Sequence, residues 1–292
     1  KEGAEGQFLR FERANNNHWT GTPEFPEFEW RFAKEASTRL AALVTGEAQM
    51  ADLPSDLSAQ AEKQGMKIIR GQFPGTRFWG SMRGMYVKDP NDPSQGFMYP
   101  DSPLMNVKVR QALNKAINRD EMNKAFFQGK AETMFLNHFH PTRLGYNKEW
   151  ETKFPEMYGS DPAKVKQLLA EAGFANGLKL QMPMKVLPGV PGYGDLAEAV
   201  AAYWRAIGVQ ASLEPVEVPQ DRAIYSKFGY QNTVTLDASG SNQWSGQTIW
   251  NSGYSHLGIG VENPKVDALL RQIATTVDTT KQEGMWRELG EE

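Results

Sequence analysis

Apolar and polar side chains alternate along several short stretches of the chain, as they do in half-buried strands. Between these stretches, apolar residues recur every three or four positions, which is the spacing of an amphipathic helix. Strands that alternate with helices in this way are typical of an α/β domain. The stretches predicted as strands are 7–13, 28–32, 49–53, 66–73 and 209–213.

Polar residues that suit a helix N-cap stand ahead of most of the helical stretches. Asn106 and Asn118 precede two consecutive helices, and Asp161 and Asn263 each stand before a proline, which fits the first helical position. Ser37 or Thr38 is the predicted cap of the first helix. The predicted helices are 38–45, 55–64, 107–117, 119–128, 163–172, 195–207 and 264–273, with a further helical pattern at 285–289.

Composition narrows the classes of function. The 292 residues are 40% hydrophobic and 23% charged, as in ordinary globular proteins, and the formal net charge is −3 without a basic block, which argues against a nucleic-acid partner. The absence of cysteine excludes disulfides, thiolate nucleophiles and cysteine-based metal sites. The sequence contains no apolar run long enough to span a membrane. It also lacks a nucleophile elbow, an HExxH motif and a phosphate loop, so we expect neither an enzyme nor a bound cofactor.

The stretch 237–256 is the richest in ligand-like chemistry. It interleaves Asp237, Asn242, Trp244 and Trp250 with serines and glycines. Aromatic faces beside short polar groups suit a pocket that stacks and hydrogen-bonds a ligand. A surface loop whose tryptophans pack on the domain beneath is an equally good interpretation of the same pattern.

Four segments of the chain carry a family resemblance. They are 36–52, 103–121, 161–174 and 263–270; the second reads Pro-Leu-Met-Asn-Val-Lys-Val-Arg-Gln-Ala-Leu-Asn-Lys-Ala-Ile-Asn-Arg-Asp-Glu. In this order they resemble segments of the family 5 extracytoplasmic solute-binding proteins, the peptide and nickel receptors of ABC importers. The resemblance implies an α/β fold of the two-lobed, type II periplasmic-binding-protein kind, with mixed sheets, flanking helices and a cleft. It also implies that 1–82 is part of lobe one, that 83–292 is most of lobe two, and that segments are missing at both ends.

The function implied by the resemblance is capture of a small solute by closure of the lobes, followed by delivery to a membrane permease. The implied ligand is a short peptide. The protein would act as a monomer in the periplasm or another extracytoplasmic space, with a lipoprotein anchor as one option. An oligosaccharide ligand is the alternative within the family, favoured by eight tryptophans, and a glycoside hydrolase or peptidase is the alternative from another class.

The resemblance also suggests site residues. Asp237 would accept the amino terminus of the peptide, although the aromatic-Asp-Pro context that is common in the family is absent around it. Trp244 and Trp250 would form walls of the pocket and Asn242 would supply a polar contact. The segment 77–83, with Trp79 and Arg83, would be a strand that faces the cleft, or alternatively an ordinary core strand.

A metal site is a less favoured interpretation. His138 and His140 would place two imidazoles on one side of a strand, a spacing that suits a transition metal. No third ligand stands near them in the sequence.

Overall fold

The computed structural model describes residues 2–4, 6–14, 19, 21–69, 77–89, 92–185, 192–239 and 263–292. The chain divides into two compact units, Lys1–Arg70 and Gly71–Glu292. Both contain helices and strands, so the predicted α/β class is confirmed. No helix in the described ranges is both long and apolar enough to cross a bilayer.

The first unit contains a small antiparallel sheet and two helices. Its strands β1 (Glu2–Ala4), β2 (Phe8–Glu12) and β3 (Glu27–Arg31) pair in that order, and α1 (Ala36–Val44) and α2 (Ser55–Lys63) follow. The predicted strands at 7–13 and 28–32 and both predicted helices are therefore confirmed. The predicted cap of α1 is wrong, because that helix begins after Glu35 without a side-chain cap bond.

Two predicted strands in this unit are also wrong. Residues 49–53 and 66–69 do not form strands, and 70–73 lie outside the described residues. The Asp52 carbonyl accepts a hydrogen bond from Arg39 Nε at 2.8 Å, and the Met66 N–H closes the end of α2 on the Ala61 carbonyl. Backbone groups engaged in this way are not available for a strand ladder.

A mixed four-stranded sheet organises the second unit. Its strands are β4 (Arg77–Arg83), β5 (Leu178–Lys185), β6 (Val209–Val216) and β7 (Thr233–Ser239), in the spatial order β4-β7-β5-β6. β5 runs parallel to β6 and to β7, whereas β4 runs antiparallel to β7. Because β4 pairs with β7, residues 77–82 pack with the second unit. The predicted assignment of 1–82 to lobe one and of 83–292 to lobe two remains a prediction.

The helices of the second unit begin largely where the sequence indicates. Asn106, Asn118, Asp161 and Asn263 each accept a backbone N–H of the first turn that follows, so these four caps are confirmed. The helices are α3 (Val107–Lys115), α4 (Arg119–Phe127), α5 (Trp150–Tyr158), α6 (Pro162–Glu171), α7 (Tyr193–Ala206), α8 (Val218–Tyr225), α9 (Pro264–Thr275) and α10 (Thr279–Glu291).

One face of this sheet forms the main hydrophobic core with α3, α6 and α7. Leu113 is fully buried in it, and the Trp204 indole N–H donates to the Leu113 carbonyl at 3.0 Å, which ties α7 to α3. A smaller cluster joins α5, α9 and α10 around Trp150 and Trp286. The main core therefore fixes the sheet whose other face carries the candidate site.

Leu113→Ala is expected to lower the free energy of unfolding by about 3 kcal/mol, because it removes a buried side chain and leaves a cavity. Val107→Ala on the same helix is the matched control, since Val107 is 52% exposed, and it should change stability by less than about 0.5 kcal/mol. Urea unfolding of both variants measures the difference. Equal losses would contradict the assignment of this core.

Candidate functional site

The strands β4 and β7 present a polar surface on the side of the sheet away from the core. In the pair's register Trp79 lies opposite Asp237, Ser81 opposite Thr235 and Arg83 opposite Thr233. We call this surface the polar face; its described residues are Arg77, Trp79, Ser81, Arg83, Thr233, Thr235 and Asp237. Except for the half-buried Trp79, all of them are buried, so their polar groups need partners within the protein.

The direction of the strands brings further groups to one edge of the sheet. β5, β6 and β7 run parallel, so their carboxyl ends meet at the same edge. Lys185 is the last residue of β5, Asp237 lies near the end of β7, and Asp221 lies in α8, which follows β6. Open α/β sheets bind their ligands at this edge.

Four charged groups meet there in a chain of ion pairs, which we call the charge cluster. Arg83 lies 3.5 Å from Asp237 Oδ2, and Lys185 pairs with Asp237 Oδ1. Lys185 also lies 3.4 Å from Asp221 Oδ2. Two cations and two anions alternate, so the formal charge of the cluster is zero, and both carboxylates are nearly inaccessible, with Asp237 7% and Asp221 2% exposed.

Arg83 is held in place by several neighbours. Its Nε donates to Thr235 Oγ1 at 2.7 Å, and Thr235 in turn donates to Asp237 Oδ2 at 2.9 Å. The guanidinium also lies against the rings of Tyr225 and Tyr230, 5.4 and 5.2 Å from their centroids. A planar cation fixed by hydrogen bonds and aromatic rings is a permanent part of the site.

Burial and charge act in opposite directions on Asp237. Burial raises its pKa, but the charges of Arg83 and Lys185 outweigh burial and hold the pKa below its ordinary value. The carboxylate is therefore ionised at neutral pH. Burial raises the pKa of Tyr193, with a further contribution from Asp237, and that of Tyr230, which also donates to Asp221. Both phenols remain protonated donors.

A second group of residues lies at the start of β4. The Arg77 guanidinium is 3.1 Å from His138 Nε2 and lies over the Trp79 ring, 4.9 Å from the centroid. Burial lowers the pKa of Arg77 to about 10. The Trp79 indole N–H donates to Ser81 Oγ at 3.0 Å, so this ring is fixed beside Asp237 with its polar edge already bonded.

The histidines do not lie in a strand, so that part of the metal hypothesis is wrong. His138 stands in a turn with φ of 70°, and His140 bonds to Glu132 at 3.3 Å and Thr142 at 2.7 Å. The turn directs the two imidazoles to different partners. Within the described residues, no group of three metal-ligating side chains is assembled.

The structure brings together three of the predicted site residues, Asp237, Arg83 and Trp79. Asn242, Trp244 and Trp250 lie outside the described residues. The ligand-binding roles of all six stay predictions. The partners that sequence reasoning missed are Lys185, Asp221, Tyr193 and Tyr230. Lys185 had a usable signal, because the apolar Leu178, Leu180, Met182 and Met184 recur at every second position ahead of it, as in a strand.

Asp237→Asn is expected to lower the free energy of unfolding by about 3 kcal/mol at neutral pH, because two buried cations lose a counter-charge. The depressed folded-state pKa means that this stabilisation is present above the unfolded carboxyl pKa of about 3.9 and is lost as pH falls through the lower folded value. The difference in the free energy of unfolding between wild type and Asp237→Asn should therefore become smaller below about pH 4. Urea unfolding across pH measures it, with exposed Asp101→Asn as the control; a gap that widens in acid would contradict the assignment.

Comparison with known proteins identifies the family. The family model for bacterial extracellular solute-binding proteins, family 5 Middle, matches residues 2–258. The dipeptide-binding protein of Escherichia coli (strain K12) is 31% identical over 235 residues, which are 79% of this chain and 39% of that relative. Heme-binding protein A of Haemophilus influenzae is 29% identical over 235 residues, covering 80% of this chain and 38% of that relative. The chain thus spans about two fifths of the length of these relatives.

The fold is shared with solved structures. One of them is the periplasmic binding protein DppA of Helicobacter pylori in complex with the peptide STSA. The superposition has a TM-score of 0.69 at 21% sequence identity, and it covers 100% of this chain and 53% of the DppA chain. The likeness confirms the predicted periplasmic-binding-protein fold. Because the family model covers most of the sequence, the chain belongs to family 5 of the bacterial extracellular solute-binding proteins.

Proposed function

We propose that the protein is the substrate-binding component of an ABC importer, which captures a short peptide outside the cytoplasm and delivers it to a membrane permease. The family supports this class of function, and so do two similar proteins, one named for binding dipeptides and one solved with a bound peptide. A third relative is named for heme, so the family alone leaves the ligand class open. The choice of peptide therefore rests on the site.

The ionised Asp237 at the carboxyl edge of the sheet is the observation that carries the proposal. A peptide presents a primary ammonium, a compact cation with three donors, and a buried carboxylate binds such a group strongly because the surroundings screen it weakly. The lowered pKa of Asp237 keeps it an acceptor at neutral pH. A site for a neutral sugar has no need of such a charge.

Trp79 supports the same placement. It faces Asp237 across the β4–β7 pair, and Ser81 holds its indole N–H. A ring fixed beside a carboxylate can pack against the first residue of a peptide while the ammonium meets the acid. Asn242, Trp244 and Trp250 follow β7 in the sequence, and we propose that they contribute further contacts.

Binding without turnover is part of the proposal. A receptor needs only to desolvate and hold its ligand, and lobe closure in the whole receptor would do both. The compared proteins are named for what they bind rather than for a reaction. Bound peptides should accordingly be recovered intact.

The test is native mass spectrometry of the purified protein with an equimolar mixture of synthetic di- to pentapeptides and with the N-acetylated form of the same mixture. Free peptides should be retained, and acetylation should weaken retention about a hundredfold, because it removes the cation that meets Asp237. Asp237→Asn should weaken retention of free peptides to a similar extent, and exposed Asp101→Asn should not.

Three results would contradict the proposal. Equal retention of free and acetylated peptides would show that no ammonium site exists. Adducts spaced by a hexose mass, with no peptide retained, would establish an oligosaccharide receptor. Cleaved peptides would indicate a peptidase.

A further inference from the structure

Lys185 stands between two carboxylates, and this position suggests a role that goes beyond structural pairing. Its Nζ pairs with Asp237 Oδ1 and lies 3.4 Å from Asp221 Oδ2. A lysine ammonium carries the same charge, size and three donors as the amino terminus of a peptide. Lys185 therefore occupies the position on Asp237 that a ligand's ammonium would take.

The two cations of the charge cluster differ in how firmly they are held. Arg83 is fixed by Thr235 and by the rings of Tyr225 and Tyr230. Its bond to Asp237 uses Oδ2, the oxygen that also accepts from Thr235. Lys185 ends a flexible four-carbon side chain and takes the other oxygen, Oδ1. Only Lys185 can leave Asp237 without breaking several other contacts.

Asp221 is a second carboxylate with which Lys185 can pair. It is 2% exposed, accepts a hydrogen bond from Tyr230, and already lies within reach of Lys185 Nζ. If Lys185 moves to Asp221, each buried cation still has an anion, and Asp237 Oδ1 is open to the ligand. Neither state leaves a buried charge alone, and this is the condition for exchange at low cost.

We propose that Lys185 occupies Asp237 in the ligand-free protein and that the ligand's primary ammonium displaces it to Asp221. This exchange rests on the proposed function. It makes Lys185 a specificity-determining residue, because a ligand without a cation cannot replace the lysine on Asp237 and is rejected. It also sets affinity, since only the fraction of molecules with Lys185 on Asp221 is ready to bind.

The test is a double-mutant cycle read by binding of the same free-peptide mixture. Lys185→Met should tighten retention about tenfold, because the competitor is gone while Arg83 still compensates Asp237. Lys179→Met is the matched control, since Lys179 is an exposed lysine on the same strand, and it should change nothing. Asp221→Asn should weaken retention about tenfold, because Lys185 loses its second partner, while the amide oxygen can still accept from Tyr230.

The double variant gives the decisive result. Without Lys185 there is no lysine to relocate, so Asp221→Asn should have no effect on retention in the Lys185→Met background. Additive effects of the two substitutions, or weaker retention by Lys185→Met alone, would overturn the exchange. If Asp221→Asn fails to fold, the comparison of Lys185→Met with Lys179→Met decides by itself, and an unchanged Lys185→Met overturns the proposal.

Failure of the proposed function gives a different pattern. If the wild type retains no peptide, or if Asp237→Asn has no effect on retention, the proposed ammonium site itself is rejected. Loss of binding in Asp237→Asn together with weakened binding in Lys185→Met would leave the ammonium site standing and reject only the exchange.

Discussion

The ion pairs of Asp237 are the constraint on which the polar face of the second unit depends. Burial would drive a carboxylate that is 7% exposed to its neutral form unless cations lay beside it, and Arg83 and Lys185 supply that compensation. Both cations are themselves nearly buried, so the dependence is mutual. The strand pairing that places β4 against β7 is what brings Arg83 within reach of the acid.

The sheet therefore has two faces with opposite demands. On one side Val234 and Leu236 pack into the core, where shape and volume decide the fit. On the other side the intervening residues Thr235 and Asp237 lie among charged groups and phenols, where hydrogen bonds and ion pairs decide which side chains fit. Tyr193 ties α7 to β7, because its ring lies in the core and its hydroxyl donates to the Leu236 carbonyl. Core packing thus fixes the backbone that carries the charges.

In the proposed exchange, a charge cluster with zero formal charge serves ligand recognition. A buried anion left alone would be too costly to keep, and one with both oxygens held by fixed groups would have no oxygen for a ligand. An anion shared between a fixed arginine and a mobile lysine avoids both limits. The proposed exchange would let this acid discriminate between ammonium groups and neutral groups of similar size.

Local features of the sequence predicted much of the fold. Asn106, Asn118, Asp161 and Asn263 marked the helix beginnings correctly, because a cap is decided by a side chain and the backbone two or three residues ahead of it. The strand predictions at 49–53 and 66–69 failed, because a strand exists only when another chain segment pairs with it. The segments at 36–52, 103–121, 161–174 and 263–270 carried the resemblance to the family, which the family model over residues 2–258 confirms.

The sequence by itself determined the α/β class and four of the helix caps, and it singled out Asp237 as a candidate site residue. Tertiary structure alone decided which groups surround that acid. Lys185, Asp221 and Asp237 are separated by 36 and 16 residues in the chain and meet only because three parallel strands end at one edge of a sheet. Charge pairing depends on distance in space, and spacing along the sequence does not encode that distance.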